Sequence, residues 1–372
     1  MNKKLRHIVK KTGVSLLLAV AFTAIFTGKA FGEKFEFNRA ELSVNYGFLA
    51  PHSPDMLHLY QGNFPIYKLS FSGLTAGSRD WHQLYRFPRI GVDLTYSDLI
   101  YPEVLGKAFA IMPNITFSIF QYRSFKLGLK NGLGLGYLTK KYHRLDNYRN
   151  TAIGSNINLA LFMGLEGEFA LNNNINITTG VGLSHYSNGR TQMPNKGINI
   201  PSAKLGVTIG HPDKQPALRD RSPDSRESEL MLVASGGSSA VYPIGSEKSP
   251  RAGITALYNI PVNIRHKLGF GYDMFYYYNR EHLLSHLDEV EHIQWHFNHG
   301  VYISFQLDFC RTAFFIQKGV YLYDKHDFQQ SLFYHRVGFR HNVYKNLMLN
   351  LSLKTHFFRA QFIEMGVGYK IF

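Results

Sequence analysis

The sequence predicts an all-β protein: an antiparallel transmembrane β-barrel of about 16 strands, built from a duplicated eight-strand unit. Four observations predict it. From position 41 onward, apolar residues alternate with small, polar or charged ones at period two, the mark of strands with one greasy face. The runs are often about ten residues long, which suits a tilted crossing of a bilayer. Their connections alternate between tight ones (172–174, 341–345) and long ones (139–153, 278–296), as in barrels with short periplasmic turns and long external loops. Finally, the last strand alternates Ile363, Met365, Val367, Tyr369 and Ile371, and the chain closes on Phe372. A terminal aromatic resembles the assembly signal of outer-membrane proteins, although the alternation lands on Ile371, one residue early. A soluble sandwich or barrel would use the same alternation with its greasy face inside, but strand length, loop rhythm and chain ending favour the membrane.

Composition agrees. The 372 residues include 29 Phe, 23 Tyr and 2 Trp, while charged residues reach only 18%, which excludes a disordered chain. Cys310 is the only cysteine, so an intramolecular disulfide scaffold and a Cys-cluster metal site are excluded. Beyond the N-terminus no stretch supplies the roughly 20 apolar residues of a spanning helix. Residues 1–32 read as a cleaved signal peptide: Lys3, Lys4, Arg6, Lys10 and Lys11 precede an apolar core over 14–26, and Gly28, Ala30 and Gly32 follow. No cysteine near the cleavage region offers a lipoprotein anchor. Without residues 1–32 the chain keeps 35 basic against 26 acidic residues. An exported basic protein suggests an anionic partner other than nucleic acid.

Along the chain, Leu42, Val44, Tyr46 and Phe48 oppose Ser43, Asn45 and Gly47 in the first strand. Leu127, Leu129, Leu133, Leu135 and Tyr137 oppose Lys130 and four glycines, and Ile157, Leu159, Leu161, Met163 and Leu165 oppose Asn158, Ala160, Gly164 and Glu166. A polar connector over 211–228, with Pro212, Pro216 and Pro223, separates a first half (33–210) from a second (229–372). There, Leu268, Phe270, Tyr272, Met274 and Tyr276, and then Leu347, Leu349, Leu351 and Leu353, repeat the pattern. The segment from Phe120-Gln121 to Gly132 matches that from Phe305-Gln306 to Gly319, which argues for duplication. One terminal assembly signal favours a single large barrel. The glycine-rich inner face near Gly132 argues for tight curvature and for the alternative, two tandem eight-stranded barrels.

Chemistry concentrates in Gly182-Leu183-Ser184-His185-Tyr186-Ser187-Asn188-Gly189-Arg190 and Pro194-Asn195-Lys196-Gly197-Ile198-Asn199. Continuing the alternation Ile175, Ile177, Thr179, Val181, Leu183 puts His185 and Ser187 on the lipid-facing side. Two residues apart on one strand face, they can approach hydrogen-bonding distance. A hairpin symmetric about Gln192 sets Asn199 opposite His185, with Cβ atoms about 5 Å apart. That assembles a nucleophile, a base and an orienting group on one outward patch.

The string His-Tyr-Ser-Asn followed by Pro-Asn-Lys-Gly-Ile resembles the lipid A 3-O-deacylase family, often labelled acyloxyacyl hydrolase, over about 15 residues, with the barrel resemblance running over roughly 40–210. The resemblance implies an outer-membrane serine esterase that hydrolyses an ester-linked acyl chain of lipid A, lipopolysaccharide or a related glycolipid in a Gram-negative bacterium, without a cofactor. It makes Ser187 the nucleophile and His185 the general base. Asn188 and the backbone amides of Gly189 and Arg190 form the oxyanion hole, and Arg190 and Lys196 would meet glycolipid phosphates. The family's acidic triad member stands here as Asn199, which can fix the imidazole tautomer but supplies no charge. The other reading is a non-catalytic barrel (pore, adhesin or structural component) with a relict motif. Aligning the turns at Asn174 and Asn346 puts Phe357 at the place of His185, and Arg359 and Ala360 at those of Ser187 and Asn188, so the second half is a degenerate repeat with His356 on its inner face. His282 and His286, with His292 and His296, have helical metal-ligand spacing, but a polar external loop with a short amphipathic helix is the preferred reading, and no metal site is assigned. No Walker, Rossmann or HExxH pattern occurs.

Overall fold

The structure, a computed structural model, describes residues 36–211, 213, 216–219, 227–241, 244–278, 293–324, 331–357 and 359–372. The expected signal peptide lies outside them. The sixteen strands close as two barrels of eight, not as one of sixteen. In the first barrel these are β1 (Arg39–Phe48), β2 (Asn63–Leu74), β3 (Arg89–Asp98), β4 (Lys107–Tyr122), β5 (Phe125–Leu138), β6 (Ile157–Ala170), β7 (Ile175–Ser187) and β8 (Ile198–Gly210). In the second they are β9 (Glu229–Ser239), β10 (Ser249–Pro261), β11 (His266–Tyr277), β12 (Phe297–Phe309), β13 (Thr312–Tyr323), β14 (Phe333–Tyr344), β15 (Leu347–His356) and β16 (Arg359–Lys370).

Separate closure follows from where the edges go. β8 returns to β1, with Gly210 beside Arg39 and Ser202 beside Gly47, and β16 returns to β9, with Met365 beside Gly236. Each unit thus satisfies its own edge strands, which an open sheet would leave as unpaired backbone. An eight-stranded barrel is just wide enough for side chains to fill, so its inner face needs small residues beside large ones. Gly136 on β5 makes room for the inward Tyr186 ring, which would lie 2.7 Å from a β-carbon there. The duplicated segments occupy equivalent places: the β4–β5 hairpin in one barrel and the β12–β13 hairpin in the other.

The alternation has the expected sense. Leu42, Val44, Tyr46 and Phe48 are exposed on the outer face, whereas Ser43 and Asn45 are buried. Inside the first barrel Lys204 bridges Glu41 (3.0 Å) and Glu166 (2.9 Å), Lys68 reaches Glu166 (3.2 Å), and Lys130 pairs with Asp93 (2.9 Å). Buried charges persist only when paired and hydrogen-bonded, and here every one of these ammonium groups has a carboxylate. The second barrel is filled differently. Arg336 spans Glu364 (2.6 Å) and Asp273 (3.2 Å), while Lys354 lies 3.5 Å from the Phe275 ring centre and donates to Tyr277 and Tyr321.

At one end of the first barrel the turns at 123–124 and 171–174 are tight; at the other lie the longer segments 49–62, 99–106, 139–156 and 188–197. That long-loop end is capped by an apolar cluster including Leu49, Met56, Leu59, Leu105, Ile153, Tyr186 and Ile198. The tight-turn end has one long connection, 75–88, whose short helix Asp80–Leu84 buries Trp81 and His82. Part of the connector docks there. Asp213 meets Arg89, Arg39 (3.4 Å) and Lys126 (3.1 Å), and Gln83 donates to the Ala217 carbonyl (3.4 Å). Burial works against the Asp213 charge, but Arg89, Arg39 and Lys126 hold its carboxyl below the ordinary range. A stretch that reads as a plain linker is therefore, at Asp213, pinned to the first barrel.

Candidate active site

His185, near the end of β7, and Asn199, near the start of β8, are directly paired across the two strands, as symmetry about Gln192 requires. The sense of β7 is fixed by its neighbours: Leu183 points outward, while Ser184 and Tyr186 are buried within the barrel. His185 therefore projects to the outer side, and its Nδ1 lies 2.6 Å from Asn199 Oδ1. Because an amide oxygen only accepts, this contact places the imidazole proton on Nδ1 and leaves the lone pair on Nε2. Beyond Asn199 stands His52: the Asn199 amide Nδ2 is 3.1 Å from His52 Nδ1. The same segment is tied by its backbone, since the Ala50 N–H donates to the Asn199 carbonyl at 2.8 Å.

Ser187 is the last residue of β7 and pairs with Leu159 on β6. It is largely covered, at 7% exposure, although its parity is that of the outer face. Its Oγ is not hydrogen-bonded to His185 in this arrangement; nucleophile–base contacts in unliganded sites often tighten only when substrate is in place.

The loop 188–197 is braced from several directions. The Asn188 N–H donates to Asn195 Oδ1 (2.9 Å), and the Asn188 amide donates to Ser155 Oγ (2.8 Å), which in turn meets Asn158 Oδ1 (2.8 Å). Asn188 thus braces the turn as well as adjoining Ser187. Gly189 and Arg190 follow with φ of +61° and +65°. For Arg190 this left-handed conformation is uncommon, and strain of that kind concentrates at functional sites. Lys196 is ion-paired with Asp55, and the N–H groups of Lys196 and Gly197 both reach the Ala152 carbonyl at 3.0 Å.

Sequence reasoning missed His52, Ser155 and Asp55, all distant along the chain. It quoted Asn195 and Gly197 without a role. Of the histidines with metal-ligand spacing, His282, His286 and His292 lie outside the described residues. The Nδ1–H of His296 donates to the Tyr277 carbonyl (2.8 Å).

A profile of the lipid A 3-O-deacylase (PagL) matches residues 66–208, from β2 through most of β8 with the His185–Asn199 pair inside it. A profile of the acyloxyacyl hydrolase C-terminal domain (PagL_C) matches residues 228–372. The chain belongs to the lipid A 3-O-deacylase family. The two matched stretches of this deacylase-family chain correspond to the two barrels, the second beginning one residue before β9. Comparison with curated proteins gave no match. Among solved structures similar to the chain, the outer membrane enzyme PagL is 19% identical, with a TM-score of 0.31, over 45% of this chain and 97% of its own. Neisserial surface protein A (NspA) is 14% identical, with a TM-score of 0.34, over 48% and 99%. A mutant porin of Rh. blastica is 8% identical, with a TM-score of 0.18, over 89% and 99%.

Proposed function

We propose that the first barrel is a serine esterase that removes an ester-linked acyl chain from lipid A or a related acylated glycolipid of the outer membrane. The observation that carries this reading is the 2.6 Å contact between His185 Nδ1 and Asn199 Oδ1, with Ser187 two residues further along the same strand. It prepares Nε2 as a general base on the outer side of the barrel, where an acylated lipid lies.

In the proposed reaction His185 Nε2 takes the proton of Ser187 as Oγ attacks the acyl carbonyl. The tetrahedral oxyanion is met by the Asn188 amide and the backbone N–H groups of Gly189 and Arg190. The imidazolium returns its proton to the sugar oxygen as the ester C–O bond breaks, leaving an acyl-serine. Water activated by the same nitrogen then releases the fatty acid and restores Ser187. Asn199 holds the tautomer throughout, without the charge a carboxylate would offer the imidazolium. Arg190 and Lys196 would meet anionic groups of the glycolipid, Lys196 by exchanging Asp55 for phosphate.

The alternative, a non-catalytic barrel with a relict motif, draws on the same two features that weaken the esterase: the neutral Asn199 and a Ser187 Oγ not hydrogen-bonded to His185. A long-chain fluorophosphonate separates them. The esterase reading expects an adduct on Ser187 that vanishes in His185→Ala. Labelling that is equal in wild type and His185→Ala would remove the base from the mechanism.

A further inference from the structure

We propose that His52 is a positioning residue that sets the catalytic tautomer of His185 by fixing which way the Asn199 amide faces. This inference rests on the esterase reading of the His185 site.

An amide has two unlike faces. With Oδ1 toward His185, the imidazole must carry its proton on Nδ1, and Nε2 is free to receive the serine proton. With the amide turned over, Nδ2–H would donate to His185 Nδ1, the proton would move to Nε2, and the ring could no longer act as a base. Asn199 alone has little reason to prefer the first arrangement, because either face makes one hydrogen bond to the ring. His52 removes the degeneracy when its own proton is on Nε2. Its Nδ1, 3.1 Å from Asn199 Nδ2, then carries a lone pair, accepts from the amide N–H and so directs Oδ1 to His185, where the 2.6 Å contact is found. The hydrogen bonds run in one sense, from His185 N–H to Asn199 and from Asn199 N–H to His52. Two residues before His52 the backbone is tied to the same position, through the Ala50 N–H bond to the Asn199 carbonyl (2.8 Å). A carboxylate at 199 would need no such device, since both its oxygens only accept.

The test is a double-mutant cycle of acyl release from purified lipopolysaccharide by full-length wild type, His52→Ala, Asn199→Asp and the double variant, with Ser187→Ala as reference. His52→Ala should lower kcat about tenfold with little change in KM, the loss expected if the competent orientation falls to roughly a tenth of the molecules. In the Asn199→Asp background the same substitution should change kcat by less than about twofold. Nitrogen NMR of ¹⁵N-histidine-labelled protein supplies a readout without turnover: His185 should carry its proton on Nδ1 in wild type and shift toward Nε2 in His52→Ala. Equal losses in both backgrounds, or an unchanged His185 tautomer, would overturn the inference. If Ser187→Ala is as active as wild type, the esterase reading falls, while the NMR result still decides whether His52 sets the tautomer.

Discussion

Gly197 lies against the imidazole of His185: a β-carbon at 197 would stand 2.7 Å from His185 Cε1 and 3.4 Å from Nε2. The residue also has φ +83°, a conformation that other side chains rarely adopt. The glycine between Lys196 and Ile198 thus lets the β8 approach pass beside the imidazole while Asn199, two residues on, meets the ring at Nδ1.

Gly197→Ala should therefore displace the imidazole without opening the barrel. We expect acyl release to fall at least about tenfold, in keeping with the sensitivity of catalysis to ångström-scale misplacement. Heat-modifiable gel migration should remain that of a folded barrel. An alanine variant with wild-type turnover would mean that the ring does not have to sit where the structure puts it.

A carboxylate at 199 should improve the site. Asn199→Asp keeps the side-chain length and the 2.6 Å contact, and a charge-assisted bond is about twice as strong as a neutral one. A gain of about tenfold in rate, equivalent to about 1.4 kcal/mol, follows, whereas Asn199→Leu should lower the rate by leaving the ring without an acceptor. A gain seen only at alkaline pH would indicate that the apolar surroundings keep the new carboxyl protonated. Identical rates for Asn, Asp and Leu across pH would exclude position 199 from the mechanism.

The second barrel should be dispensable for the chemistry. His356 Nε2 contacts Tyr321 Oη at 2.8 Å, beside the buried Lys354, whereas Phe357 is exposed. β15 ends at His356 and β16 begins at Arg359, whereas residues 188–197 separate β7 from β8, so the second barrel lacks the loop that braces Asn188. His356→Ala should leave acyl release within about twofold of wild type. A folded His356→Ala protein without activity would show that this half contributes to the reaction.

His82, in the connection between β2 and β3, gives a pH signature separate from catalysis. Burial, reinforced by Arg79, pushes its pKa down to about 4 from 6.5. The unfolded segment binds a proton that the folded one refuses, so the stabilisation is full above pH 6.5 and is lost as pH falls toward 4. The effect is on the order of 1–3 kcal/mol. Hydrogen exchange over residues 75–88 should accelerate between pH 7 and pH 4.5, after correction for intrinsic rates, and His82→Gln should flatten that dependence. The same profile in both proteins would assign the acid sensitivity elsewhere.

Much of this was legible in the sequence because it depends on local period and symmetry. Leu42 to Phe48 against Ser43 and Asn45 gives the sense of β1, and the spacing of His185 and Asn199 about Gln192 gives their pairing. Closure was not legible. Whether β8 pairs with β1 or continues into a larger sheet depends on contacts between residues far apart in sequence, such as Arg39 with Gly210. The same holds for Asp213 docking on Arg39 and Arg89, and for His52, which reaches Asn199 from the loop after β1. Loop residues carry no periodicity to announce their partners. A neutral amide at 199 suggested a weakened site; only the folded chain sets an imidazole behind it.

The proposed chemistry stands or falls with Ser187 as the nucleophile of a lipid A esterase. Mass spectrometry of lipopolysaccharide incubated with folded wild type and with folded Ser187→Ala tests it most directly. Wild type should lower the lipid A mass by one acyl group with the matching free fatty acid, and Ser187→Ala should leave lipid A intact. Equal acyl loss with both proteins, or intact lipid A with wild type, would contradict it.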